Sequence, residues 1–241
     1  MDINREDDRS IRERLLEEIR SGLYAKSDRL PPENDLAEHF GISRTQLRDT
    51  LSALEREGLI TRRHGVGTVI KHHVVGIKNR MDIATEFLDI IRQSGYEPAV
   101  AYVHTRDEYA DEKVASVLQI PVGTEVVRVC RLCTADGVPA IYCEDILEKR
   151  LLKSEYVLKD LERPIYIFLQ NMCGITAHMD LIEVHAVLAQ GEVAKALALP
   201  EKTPVLNLEE IDYDIEGTPI FCSSEYFVDH LFQQVVLRKK L

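Results

Sequence analysis

The chain has 241 residues, 45% of them hydrophobic and 29% charged, no Trp, and a net charge of −11. This is an ordinary globular composition for one large domain or two smaller ones, and it excludes fibrous and low-complexity classes. The opening MDINREDDRSIRERLLEEIR is too charged for a signal peptide, and no apolar run reaches the roughly 18 residues of a membrane span, so a soluble, cytoplasmic protein with no membrane partner is expected.

In chain order, Ile11, Leu15, Ile19 and Leu23 recur at helical spacing in a charged background and predict one amphipathic helix, with Gly22 at its end. Pro31 and Pro32 interrupt the chain. Because Pro is tolerated in a first helical turn, a second helix is expected over ENDLAEHF, stopping at Gly41. The third helix is signalled several times. Ser43 and Gln46 form a capping box, Ile42 and Leu47 a hydrophobic staple, Leu47, Leu51 and Leu54 one apolar face, and Gly58 a left-handed stop.

Arg44, Thr45 and Arg48 fall away from that apolar face, on the first turns of the third helix. A solvated charged face is the ordinary reading of such a pair. Downstream, Leu59-Ile60 and Val69-Ile70 predict two strands around a tip made of Arg62, Arg63, His64, Gly65, Val66 and Gly67. Arginines beside a glycine tip suit phosphates or a minor groove. Three helices and a basic hairpin in this order predict a winged helix-turn-helix, whose second helix of the pair enters the major groove. The charge agrees locally: residues 1–72 hold 13 Lys+Arg and 14 Asp+Glu, the remainder 17 and 27, yet the stretch 43–71 is basic. DNA binding requires a basic face, not a basic protein.

The stretch RLPPENDLAEHFGISRTQLRDTLSALEREGLITRRHGVGT resembles the DNA-binding domain of the GntR family. The resemblance implies DNA contacts from Arg44, Thr45 and Arg48 on the recognition helix and from Arg63 and Gly67 on the wing; Arg62, His64 and Gly65 at the same tip join the candidate set. Pro32, Asn34 and Val66 depart from the family's usual Ser, Arg and basic wing residue.

Residues 73–80 read as a linker, and 81–241 as a second domain of mixed elements. MDIATEFLDIIRQSG predicts a helix, AVAYVHT a strand, DEKVASVLQI a short helix and TEVVRVCRLCTADGVPAIYCEDIL a hairpin with a three-residue Ala-Asp-Gly loop. ERPIYIFLQNM predicts a helix and TAHMDLIEVHAVLA a strand. The chain then nearly repeats itself after about 80 residues: Ala115, Leu118, Pro121 and Gly137-x-Pro139 match Ala194, Leu197, Pro200 and Gly217-x-Pro219. Two such units can pair into one antiparallel sheet with helices outside, offering a small-molecule site near the axis.

The five cysteines, Cys130, Cys133, Cys143, Cys173 and Cys222, are odd in number and are expected as free thiols. Neither the lone Cys130-x-x-Cys133 nor the histidines 64, 72 and 73 assemble a metal set, so no metal and no cofactor is expected.

This half resembles the UTRA domain of HutC-subfamily GntR regulators. The resemblance implies a chorismate-lyase-like α+β fold, a small-molecule effector, a homodimer and no retained catalytic group. Beside the sugar-phosphate-binding relatives, the chain keeps Arg131 and Tyr166 but places Cys133, Cys143 and Phe221 where charged groups are common. With Tyr142, these residues predict a mostly apolar pocket in which Arg131 holds one carboxylate; an interstrand ion pair with Glu144 or Asp145 is the plainer role for Arg131. The expectation is a regulator, taken as a repressor, that binds a near-palindromic double-stranded operator as an effector-modulated homodimer. A ligand-independent structural DNA-binding protein and an enzyme of chorismate-lyase-like fold are the alternatives.

Overall fold

The computed structural model describes residues 10–152 and 156–238 and divides into two units, 1–77 and 78–241. Residues 1–9, 153–155 and 239–241 of the expected domains lie outside the described residues.

The first unit is built from α1 (Ile11–Arg20), α2 (Glu33–Phe40) and α3 (Arg44–Arg56), then a hairpin of β1 (Ile60–Arg63) and β2 (Gly67–Ile70), then a helical turn, α4 (His72–Val75). Each helix start has a local cause. Ser10 and Glu13 cap α1 reciprocally, as Ser43 and Gln46 cap α3. Pro32 precedes α2, and Gly41 ends it with φ +66°, a conformation a side chain disfavours. Leu15, Leu16 and Ile19 of α1, Leu36 and Phe40 of α2, and Leu47, Leu51 and Leu54 of α3 are buried with Ile60 and Ile70 of the hairpin. Truncating any of these large side chains costs about 2–5 kcal/mol.

Two ties absent from the sequence reading complete this unit. The Arg12 guanidinium donates both Nε and Nη2 to the Glu57 carboxylate at 2.8 and 2.7 Å, joining α1 to the end of α3. Residues 28–30 lie antiparallel to β2: the Leu30 amide donates to the Thr68 carbonyl and the Ile70 amide to the Asp28 carbonyl, each at 2.9 Å. The wing is therefore held by a third backbone segment as well as by its own turn.

The expected linker over 73–80 is shared between the units. Val74 and Val75 of α4 are buried, and so are Asn79 and Arg80, with Arg80 bridging Val235 inside the second unit.

The second unit is a six-stranded antiparallel sheet in the order β3-β4-β5-β8-β7-β6. Its strands are β3 (Pro98–Tyr109), β4 (Glu125–Ala135), β5 (Val138–Glu148), β6 (Met179–Leu188), β7 (Pro204–Tyr213) and β8 (Pro219–Phe227). Helices α5 (Phe87–Gln93) and α7 (Ile165–Phe168) pack on one face, and α6 (Glu112–Leu118) and α8 (Gly191–Ala196) on the other. The expected helix over 162–172 is the single turn of α7 continued by a wider turn, Leu169–Cys173.

The sequence repeat is a structural repeat. Strand, helix and hairpin β3-α6-β4-β5 correspond to β6-α8-β7-β8, and the halves join where β5 pairs β8. Registers agree residue for residue: Arg131 pairs Val103 and Cys143, and its counterpart Glu210 pairs Ile182 and Ser223. The turns agree as well. Thr124 Oγ1 donates to the Pro121 carbonyl and Thr203 Oγ1 to the Pro200 carbonyl, both at 2.7 Å. Gln119, the residue after α6, and its counterpart Ala198, just past α8, both have positive φ. The β4–β5 loop is shorter than expected: Ala135 pairs Val138, leaving a two-residue Asp136-Gly137 turn with both φ positive, the geometry that matches hairpin twist.

Candidate DNA interface and effector site

The first unit presents its basic residues from two places. The α3 N-terminus holds Arg44, Thr45 and Arg48 exposed, while Leu47 between them is fully buried. At the wing, Arg63 pairs Gly67 across the hairpin, and His64, Gly65 and Val66 form an exposed tip with Gly65 and Gly67 at φ +74° and +93°. The two arginines beside this tip are not equivalent. Arg62 turns back onto α3: its amide and Nε donate to the Glu55 carboxylate at 2.6 and 2.9 Å, and its Nη2 donates to Ser52 Oγ at 3.0 Å. The same contacts hold the Glu55 carboxyl below its usual range. Its neighbour Arg63 points outward, as strand alternation requires. Arg48 donates to Glu33 of α2 at 2.8 Å across an exposed surface, a contact worth little against a phosphate partner.

Arg29 was missed in the sequence. Its Nη1 donates to the Val66 carbonyl at 3.1 Å and places a further cation against the wing tip. The basic residue before Leu30-Pro31-Pro32 was its only signal.

In the second unit, a cavity of about 90 Å³ opens on the α5/α7 face of the sheet. Of the expected effector residues, Arg131, Tyr166 and Phe221 line it. Cys133, Cys143 and Tyr142 do not, for separate reasons. Tyr142 is on the opposite face, where its hydroxyl donates to Glu144 at 2.8 Å and its ring stacks on Tyr226. Adjacent residues of a strand face opposite ways, so Tyr142 and Cys143 cannot share a pocket. Cys143 is buried below the cavity floor, where its thiol donates to Asp145 at 3.2 Å. Cys133 lies in the apolar cluster beside α5, and burial pushes its thiol up to about 11. Cys130, three residues away, belongs to the other face's cluster, so the Cys-x-x-Cys pair cannot close on one ion.

The cavity wall is mostly apolar, as expected from the sequence, but carboxyls that the sequence reading did not name are set into it. Asp145, Asp180, Glu210 and Glu225 line the cavity, together with Glu86, Arg80 and Ser223. Arg80 and Arg131 are the buried cations among the residues lining this site, and two of the three Arg131 nitrogens are committed, while its buried Nε has no hydrogen-bond partner among the described residues. Its Nη2 donates to Asp145 at 2.7 Å and its Nη1 to the Arg163 carbonyl at 2.6 Å, while the guanidinium carbon lies 5.6 Å from the Phe87 ring centre. Ser223 Oγ donates to the other Asp145 oxygen at 2.6 Å. The plainer role considered for Arg131, an interstrand ion pair with Asp145, is the one the structure contains. Arg80 likewise pairs with Asp82.

No basic group among the described residues forms an ion pair with Glu210, Glu225 or Asp180. Burial and the neighbouring Glu210 and Asp145 charges push the Glu225 carboxyl well above its ordinary range. Burial and Asp180 push Glu210 up to about 7, and burial with Glu210 pushes Asp212, whose Oδ2 has no hydrogen-bond partner among the described residues, up to about 9. Among the described residues no three His, Cys, Asp or Glu are placed to hold a metal, and no helix is long and apolar enough to cross a membrane.

Comparison with known proteins agrees with both halves. Residues 8–70 match the bacterial regulatory proteins of the gntR family, and residues 93–233 match the UTRA domain. The chain is 27% identical over 216 residues to the HTH-type transcriptional regulator GgaR of Escherichia coli K12, covering 88% of this chain and 81% of that one. It is 27% identical over 213 residues to the HTH-type transcriptional repressor NagR of Bacillus subtilis, covering 86% and 84%. In fold it resembles the possible transcriptional regulator YydK of Bacillus subtilis, with a TM-score of 0.72, 20% identity and coverage of 95% of this chain and 99% of that one. It also resembles PhnF of Mycobacterium smegmatis, with a TM-score of 0.59, 22% identity and coverage of 95% and 99%. A DNA-reading unit with exposed basic residues on a recognition helix and a wing, joined in one chain to a duplicated sheet around a cavity, is the organisation of a regulator and not of an enzyme: the chain belongs to the GntR family of DNA-binding transcriptional regulators that carry a UTRA effector domain.

Proposed function

We propose that this regulator is a repressor that binds a near-palindromic operator as a homodimer and releases or tightens on it when a small molecule fills the cavity over β4, β5, β7 and β8. The observation that carries the reading is the outward set Arg44, Thr45 and Arg48 on α3 with Arg63, His64, Gly65 and Gly67 on the wing, all exposed while the apolar faces behind them are buried. Arginine in the first turns of a recognition helix reads guanine bidentately or clamps phosphate, and a glycine tip lets backbone and arginine approach the duplex closely. One winged helix offers a small reading surface, so pairing of half-sites supplies the remaining affinity.

The test is fluorescence anisotropy on DNA selected by the protein from genomic fragments. Replacing Arg44 or Arg48 by Ala is expected to weaken operator binding by about 1–3 kcal/mol where that side chain reads a base, with the melting temperature unchanged. Operator affinity unmoved in both variants would overturn the recognition-helix assignment. A cavity ligand changes operator affinity only by as much as it prefers one of the two states of the protein.

A further inference from the structure

The internal repeat makes the charge of the cavity interpretable. In the first half, Arg131 on β4 and Asp145 on β5 form a buried ion pair at 2.7 Å. In the second half, the registers put Glu210 at the position of Arg131 and Glu225 at the position of Asp145. The cation of the first half is thus answered by a second carboxyl in the other. Glu225 is only 8% exposed, it lines the cavity, and no Lys, Arg or His among the described residues pairs with it. The remaining charged groups facing it do not supply the missing charge. Glu210 on β7, Asp180 on β6, Asp145 on β5 and Glu86 before α5 are acidic, while Arg131, the cation whose field reaches Glu225, is paired with Asp145, and Arg80 with Asp82. A buried carboxylate left without a cation is costly and neutralises itself by taking a proton unless a partner arrives.

We infer that the effector is an organic cation, an ammonium or amidinium on an apolar body, whose charged group sits between Glu225 and Glu210 where the repeat places a guanidinium in the other half. This rests on the reading of the cavity as the effector site. The apolar body meets Phe87, Ile90, Phe221 and Phe227, which line the same cavity. A bare metal ion is a poorer fit, because the described carboxyls do not converge on a common point. Three carboxyls form a path inward, from Asp180 at the exposed rim through half-buried Glu210 to buried Glu225. The expectation of a carboxylate ligand on Arg131 is reversed on these grounds, since such a ligand would bring a further negative charge beside Glu225.

The experiment is calorimetry and thermal shift on the full chain at constant ionic strength. The probes are butylammonium, phenethylammonium and benzamidinium, against 3-phenylpropionate and glucose 6-phosphate. At least one of the cations is expected to bind and to raise the melting temperature; the two anions are not. The proton held by Glu210, pushed up to about 7, must leave when a cation binds, so affinity is expected to rise at least about tenfold from pH 6 to pH 8, more where Glu225 also releases a proton, with a heat that depends on the buffer. Glu225→Gln is expected to weaken cation binding by tenfold or more while leaving the unliganded protein as stable or more stable. Glu210→Gln provides the same test should the first variant fail to fold. Tighter binding of either anion, no binding by any of the three cations, or unchanged cation affinity in the glutamine variants would overturn the inference. An anion that binds and changes operator affinity would leave the effector reading standing and remove only the cation. Cation binding with operator affinity unmoved would do the reverse.

Discussion

Arg62 and Arg63 are neighbours with opposite tasks, and the difference follows from strand geometry. Successive side chains of β1 face opposite ways, so Arg62 meets Glu55 and Ser52 on α3 while Arg63 faces solvent at the wing. Arg62→Ala is expected to lower stability by about 1 kcal/mol, a small figure because this pair is only partly shielded from water. Its effect on DNA affinity should follow from loosening the wing. Arg63→Ala is expected to leave the urea midpoint in place and to weaken DNA binding directly. Equal losses of stability in the two variants would contradict the assignment. The carboxyls of the second unit give a pH signature at the same scale. Glu210 and Asp212 are pushed up to about 7 and about 9 in the fold, whereas both titrate near 4 in an unfolded chain. The folded state therefore holds more protons between these values. Their contribution to stability is complete below about pH 4 and is lost as the pH rises through 7 and 9. The urea midpoint of the unliganded protein should fall from pH 5 to pH 9, and Asp212→Asn should flatten the upper part of that decline. A midpoint that rises over this range would show that the two carboxyls are held ionised by the fold.

At the scale of elements, the sequence was most legible where several local signals agree. Helix α3 has a capping box, a staple, an apolar stripe and a glycine stop, all within 42–58, and its bounds Arg44–Arg56 follow from them. The winged fold was legible for the same reason, and the duplicated sheet because turn residues repeat in order. Helix α5 was overextended, because residues 81–86 share the helical pattern of 87–93 yet Glu86 takes extended backbone before the helix begins. The effector site was read less well, and the cause is specific. Cys143 entered the expected pocket from comparison with relatives and Tyr142 as a hydroxyl donor, although period-two alternation allows only one of them to face it. Asp145 and Glu225 would have followed from alternation joined to the repeat, both of which are visible in the sequence. The interstrand pair of Arg131 with Asp145 was among the partners read from the sequence, but its contact with the Arg163 carbonyl and the contacts of Arg62 with Glu55 and Ser52 were not, since they depend on which partner a long side chain meets on an adjoining segment.

For the whole molecule, charge sets how the protein meets DNA. The net charge is −11, and most of the excess lies in residues 73–241. The long-range field of such a chain repels a duplex, so binding depends on the few basic groups of α3 and the wing and on screening of the rest. With Arg62 turned inward, the proposed homodimer would have Arg44, Arg63 and Arg29 as phosphate partners from each subunit, with Arg48 held in part by Glu33. A dimer making three phosphate contacts per subunit releases about six counterions' worth of charge, which gives a slope of roughly −5 in log affinity against log salt. A monomer would give about half that slope. The slope and the mass of the complex are therefore coupled: light scattering of the free protein at micromolar concentration should give a dimer, and residues 78–241 alone should retain it. Titrations between 50 and 300 mM salt should give the steeper slope, and Arg29→Ala should lower its magnitude by about 2 in the dimer, one contact for each subunit. A flat response would contradict docking through α3 and the wing. A slope near −5 from a monomeric protein would instead place further cations at the DNA.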